Sequence, residues 1–138
     1  MTYEELKKKF AMHKPRSDEE HRLQAACVHW FRFAHSQLAP YLFAIPNGGA
    51  RDIITGARLK AEGVLPGVAD LMLAVPNKKY HGLFIEMKTD TGRQQKSQRD
   101  FQYAVMRKGY HYEICRSKQE FIHTIEYYLN DVSKYRLD

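Results

Sequence analysis

Apolar positions between residues 17 and 37 fall at Leu23, Cys27, Trp30, Phe31 and Ala34. Steps of three and four predict a helix with one buried stripe. Ser17, followed three residues later by Glu20, has the spacing of a capping box and marks where that helix begins. The pattern then changes. "YLFAIP" (41–46) reads as a short strand, broken by the turn-forming "PNGG" (46–49). "TGARLKAEG" (55–63) predicts a short helix stopped at Gly63. "VADLMLAV" (68–75) and "GLFIEMK" (82–88) are strands, and the six residues "PNKKYH" between them are short enough for a hairpin. "KSQRDFQYAVMRKG" (96–109) predicts a second long helix, with Ser97 and Asp100 as a variant capping box and Gly109 as its stop. "YHYEICR" (110–116) is a strand with partial alternation. "SKQEFIHTIEYYLN" (117–130) is a closing helix, capped by Ser117 and Glu120 and striped by Phe121, Ile125, Tyr128 and Leu129.

The order α-β-α-β-β-α-β-α describes one α/β domain, a mixed sheet flanked by helices, spanning residues 17–138. Residues 1–16 are set apart as a basic N-terminal arm. A length of 138 residues suits one core and not two.

One strand breaks the apolar pattern. Side chains two apart on a strand share a face, so Glu86 and Lys88 point one way while Ile85 and Met87 point the other. On the preceding strand Asp70 leads into Leu71, Met72 and Leu73. If the two strands pair, Asp70, Glu86 and Lys88 meet on one face. Two carboxylates held that close repel one another, and a divalent cation relieves the repulsion. Hard oxygen ligands suit Mg2+ or Mn2+. The carbonyl of Met87 offers a further oxygen, and Lys88 can orient a water beside the metal and stabilise developing negative charge. These are the parts of metal-assisted phosphodiester hydrolysis.

Composition narrows the class. With 43% hydrophobic and 28% charged residues the chain is of ordinary globular type. Its longest apolar runs are far below the roughly 20 residues needed to cross a bilayer. No apolar stretch follows "MTYEELKKKF", so a cytoplasmic protein without a signal peptide or membrane partner is expected. Cys27 and Cys115 read as buried thiols. A net charge of +6 favours a polyanionic partner. The basic residues gather at 7–16, 56–60 and 92–99, where each cluster taken alone reads as a solvated face or arm.

Taken together, the quoted residues resemble a known family. Asp70 followed by Glu86-Met87-Lys88 is similar to the D…(D/E)xK signature of the PD-(D/E)xK nuclease superfamily. "EHRLQ", "IPNGG", "GARLKAEGVLPGVADLML", "GLFIEMK", Gln98 and "KGYHYEICRS", in that order from about residue 18 to 130, resemble the VRR-NUC (virus-type replication-repair nuclease) family. Ala69 stands where the superfamily's name places proline, with Pro66 displaced upstream. The resemblance implies a restriction-endonuclease-like core and a metal-dependent DNA endonuclease. In its free-standing phage form it implies a small homodimer acting on branched DNA such as four-way junctions. It makes Glu20 a ligand for a second metal or for metal-bound water, with Glu19 as the competing candidate. It makes Gln98 a hydrogen-bonding residue that supports Lys88 or the attacking water.

Each residue also has a quieter explanation. Glu86 and Lys88 could be an ion pair on a wet sheet face, worth about 0–1 kcal/mol. Asp70 could keep a strand edge soluble. Glu20 could simply cap its helix, Gln98 could be an exposed first-turn residue, and Asn47-Gly48-Gly49 could be no more than a tight turn. For DNA contact the expected residues are Asn47, Arg51, Arg58, Lys60, Arg93 and Lys96, with Tyr80 and Tyr110 available to stack on unpaired bases. His29 and His35 lack zinc spacing and read as helix-surface or core residues. Two rival readings share the same residues: a catalytically silent DNA-binding module, and a sequence-specific restriction-type nuclease.

Overall fold

The computed structural model describes Thr2, residues 18–46 and residues 53–130. The expected boundary between a basic arm and the domain at residue 17, and the Ser17 cap, lie outside the described residues.

The elements run in the predicted order. They are α1 (Asp18–Ala34), β1 (Leu42–Ala44), α2 (Ile53–Ala61), β2 (Leu71–Leu73), β3 (Leu83–Met87), α3 (Lys96–Met106), β4 (His111–Cys115) and α4 (Lys118–Leu129). A 3-10 turn over Ser36–Tyr41, not expected from the sequence, leads into β1. It forms where Pro40, which has no N–H to donate, prevents a longer helix and the Leu38 N–H closes back on the His35 carbonyl at 2.9 Å.

Helix ends follow local chemistry. Gly63 and Gly109 both have positive φ, at 107° and 91°. After α2, the Gly63 and Val64 N–H groups donate to Lys60 and Leu59 carbonyls. After α3, those of Gly109 and Tyr110 donate to Met106 and Val105. Both are Schellman endings that the two glycines make accessible. Ser117 accepts the Glu120 N–H at 3.1 Å, as its spacing predicts, and Glu120 returns a carboxylate to the Arg116 N–H. The expected Ser97–Asp100 cap of α3 is corrected. Gln95 occupies the N-cap, its N–H donates to Gln98 Oε1 at 2.7 Å, and Asp100 instead pairs with Lys96 at 2.9 Å.

The four strands lie in the order β1-β2-β3-β4. The first two pairings are antiparallel, and β3 and β4 are parallel, joined through α3. Their register assigns the faces. Leu73 and Leu83, and Leu71 and Ile85, pair on the face that carries Met87. There they pack with Cys27 and Phe31 of α1 and with Phe121, Ile125 and Tyr128 of α4, all essentially sealed from water. Burial pushes the thiol of Cys27 up to about 11 and that of Cys115 up to about 12, as expected for buried cysteines.

On the other face Met72, Phe84 and Tyr112 line up across the strands, and α3 covers them with Phe101 and Val105. Phe101 meets Phe84 edge-on at 5.1 Å. This is the face on which Glu86 stands.

Two connections fix the frame. Buried Asn77 bonds the hairpin loop to itself through the Lys79 and Tyr80 N–H groups and to α4 through the Tyr128 carbonyl. The segment before β2 presses against the start of α3. Gly67 has φ of 86°, and a Cβ there would come 2.3 Å from the Ser97 carbonyl oxygen. Only glycine combines that backbone with that approach. Among the described residues no helix is long and apolar enough to cross a membrane.

Gly67→Ala is therefore expected to lower unfolding free energy by more than about 1 kcal/mol, read from urea denaturation. An unchanged midpoint would mean that the turn and α3 separate freely.

Candidate functional site

The β2–β3 register brings the charged residues together. Leu71 lies opposite Ile85, so the next pair along is Asp70 and Glu86. The Asp70 carbonyl accepts the Ile45 N–H at 2.9 Å, holding the bend from the β1 side. Its carboxylate reaches across to β3, where Oδ2 accepts the Met87 N–H at 2.7 Å. That N–H sits between Glu86 and Lys88, which ties Asp70 to the segment carrying both. The Lys88 N–H donates to the Cys115 carbonyl at 3.0 Å, so the strand alternation continues to Lys88.

Glu86 is 0% exposed and Lys88 only 7%. Lys88 Nζ stands 3.6 Å from Glu86 Oε2, an ion pair too long to be a good hydrogen bond. The expected alternative of an ion pair on a wet sheet face is therefore excluded, because this pair is enclosed. The two carboxylate oxygens of Glu86 have different surroundings. Oε1 accepts from the Tyr112 hydroxyl and from Gln94 Nε2, the latter at 3.1 Å. Oε2 is buried with no hydrogen-bond partner. Burial, above all, pushes the Tyr112 phenol far above its ordinary range. Its hydrogen bond to Glu86 and the charge of that carboxylate add to the rise, and Gln94 partly offsets it. Tyr112 is accordingly a donor to Glu86 at all ordinary pH.

Asp70, Glu86, Lys88 and the Met87 backbone are thus brought together as predicted. Glu20 is not gathered with them. Among the described residues no three His, Cys, Asp or Glu side chains form a group that could hold a metal. α1 packs its Cys27 and Phe31 on the Met87 face, opposite the Glu86 face. Glu20 is half-buried in the first turn, and Glu19 is exposed. Gln98 uses its amide oxygen to cap α3.

Of the residues expected at DNA, Asn47 and Arg51 lie outside the described residues. Arg58 and Lys60 are exposed at the end of α2, and Arg93 is exposed directly before Gln94. Lys96 is exposed in the first turn of α3 in its pair with Asp100. Tyr80 and Tyr110 are half-buried and have ring partners within the fold. Tyr80 stacks on His111 at 4.5 Å, and Tyr110 packs on Phe84 at 5.5 Å. His35 bonds Glu126 at 2.9 Å and sits against Trp30 and Phe31, consistent with a structural role.

Sequence reasoning missed Tyr112 and Gln94. Tyr112 pairs with Phe84 in the parallel register, so its hydroxyl reaches Glu86 diagonally along the same face. The alternation Tyr110, Tyr112, Ile114 carried that signal once β4 was placed beside β3. Gln94 carried none, since it comes from an irregular loop.

Removing the ammonium would strand a buried carboxylate. Lys88→Met is expected to destabilise the fold by about 3–5 kcal/mol in denaturant titrations. The same change made on a Glu86→Gln background should be markedly milder. Equal losses in both backgrounds would show that the two side chains are not coupled.

No curated protein matches this chain. Among solved structures it is similar to a VRR_NUC domain protein, with a TM-score of 0.72 at 22% identity. That similarity covers 81% of this chain and 88% of the other, and it shows the shared fold. The family model of the VRR-NUC domain matches residues 3–119, from before α1 into the first turn of α4. On a match that takes in the whole sheet and the Asp70–Glu86–Lys88 group, the chain belongs to the VRR-NUC family of nuclease domains.

Proposed function

We propose that this chain is an endodeoxyribonuclease dependent on Mg2+ or Mn2+, hydrolysing phosphodiesters in branched DNA such as four-way junctions. The observation that carries the reading is the buried Glu86 Oε2, which lacks a hydrogen-bond partner beside the Lys88 ammonium and the neighbouring Asp70. The Lys88 ammonium, at 3.6 Å, leaves that buried oxygen without a hydrogen bond, and a further cation suits the position. Asp70, Glu86 and the Met87 carbonyl form a hard oxygen set. Two carboxylates fit Mg2+, which usually keeps several of its waters. When bound, such an ion supplies Lewis-acid stabilisation of phosphate oxygens and lowers the pKa of water.

The chain's own groups do the rest. Asp70, fixed through the Met87 N–H, and Glu86, fixed by Tyr112 and Gln94, are held in place before substrate arrives. Lys88 orients the nucleophilic water and offers positive charge to the phosphate as its negative charge develops. Glu20 and Gln98 assist from the periphery, Gln98 through its amide NH2 group. Arg93 and Lys96 flank the site and take DNA phosphates, joined by Arg58, Lys60, Arg51 and Asn47. Such contacts are independent of sequence and weaken with salt. A two-fold homodimer matches the symmetry of a four-way junction and would cut its opposed strands in pairs.

One experiment separates this reading from its rivals. Linear duplex, flap and four-way junction DNAs are incubated with the protein, with and without chelator, and in parallel with Asp70→Asn. Cleavage of the junction with plain duplex spared, abolished by chelator, is expected. Asp70→Asn should lose at least ~100-fold in rate, because loss of a mere supporting partner of a metal ligand already brings 10–100-fold. Discrete bands from linear DNA would favour a restriction-type enzyme. Binding without cleavage under any metal would favour a silent DNA-binding module.

A further inference from the structure

The hydrogen bonds at Glu86 do more than fix the side chain. A carboxylate oxygen has about two acceptor positions, and Oε1 receives two donors, the Tyr112 hydroxyl and Gln94 Nε2. Oε2 receives none. The orientation of Gln94 follows from the chemistry. A carboxylate only accepts, so Gln94 must turn its NH2 toward it. The second hydrogen of that NH2 goes to Gln102 Oε1 at 2.8 Å. The loop holding Gln94 is itself clasped. Arg99 Nη1 donates to the Gln94 carbonyl at 3.0 Å, and Arg116 Nη1 donates to the carbonyls of Thr89 at 2.8 Å and Gly92 at 2.6 Å. On the other side, Tyr112 is buried on β4 and fixed by the parallel register.

From this asymmetry we infer that Tyr112 and Gln94 are positioning residues that confine Glu86 to one-oxygen coordination through Oε2, and so select a small octahedral cation over a larger one. The inference rests on the proposed role of Glu86 as a metal ligand. Mg2+ and Mn2+ accept single oxygens in octahedral sites, whereas Ca2+ takes six to eight ligands and readily uses a carboxylate through both oxygens. With Oε1 already filled, the second mode is denied. Releasing Oε1 makes it available and should favour Ca2+ relative to Mn2+.

The test is calorimetric titration of the intact chain with MnCl2 and, separately, CaCl2. It compares wild type, Tyr112→Phe, Gln94→Leu and Glu86→Gln, with metal-free thermal unfolding run alongside. Gln94→Leu changes a loop residue and guards against a folding defect in Tyr112→Phe. The ratio of Mn2+ to Ca2+ affinity is expected to fall ~10-fold in both variants, Mn2+ bearing the loss that removing a partner of a metal ligand brings while Ca2+ recovers it through the freed Oε1. A purely structural role would weaken both ions alike. If Glu86→Gln abolishes Mn2+ binding while the ratio stays at the wild-type value in both other variants, this inference is overturned and the metal site stands. If wild type binds no Mn2+, or Glu86→Gln binds it as tightly as wild type, the metal-site reading fails and takes the inference with it.

Discussion

A carboxylate removed from water is the constraint around which the site is organised. Glu86 is fully buried, on the same strand that supplies Leu83, Ile85 and Met87 to the core. Ionised groups bear a large desolvation penalty unless they are paired and hydrogen-bonded. Lys88 at 3.6 Å compensates part of it, and the donors at Oε1 compensate more. Oε2 remains unbonded. A fold built for stability alone would do better with an apolar residue here, because replacing a buried pair by packed hydrophobic groups is often neutral or favourable. Retaining the charge makes sense if a ligand completes it.

The scaffold serves that one group from three directions. Antiparallel pairing with β2 delivers Asp70 to the end of the ladder, where its carboxylate takes the Met87 N–H. Parallel pairing with β4 delivers Tyr112 along the same face. The connection between β3 and α3 delivers Gln94, clasped by Arg99 and Arg116. Gly67 lets the segment before Asp70 lie against α3, so the acid leading into β2 and the helix over the site are held in one frame. The opposite face carries the larger core with α1 and α4, while a smaller apolar cluster under α3 shares the face of Glu86.

Much of this was legible in the sequence because it depends on local rules. Strand alternation placed Glu86 and Lys88 on one face, the helical stripes gave α1 and α4, and Gly63, Gly109 and Ser117 marked ends that the backbone confirms. What failed was decided by partners distant in sequence or by backbone geometry. The cap of α3 moved from Ser97 to Gln95, since the helix begins two residues earlier than the serine suggests and Gln98 reaches back to close it. Glu20 shares a stripe with Leu23 and Cys27, and among the described residues no third acid joins Asp70 and Glu86 in a metal-holding group. The ring partners of Tyr80 and Tyr110, His111 and Phe84, come from other elements and could not be read from spacing. Tyr112 and Gln94 reach Glu86 only through a parallel register and an irregular loop, neither of which leaves a periodic trace.

The most direct measurement is a crystal structure of the chain grown with Mn2+, using anomalous diffraction to locate the ion. A peak within about 2.0–2.3 Å of Glu86 Oε2 and touching Asp70, with Oε1 still bonded to Tyr112, is the predicted result. Ions found only on the surface, with Lys88 closed onto Oε2 as a sealed ion pair, would contradict it.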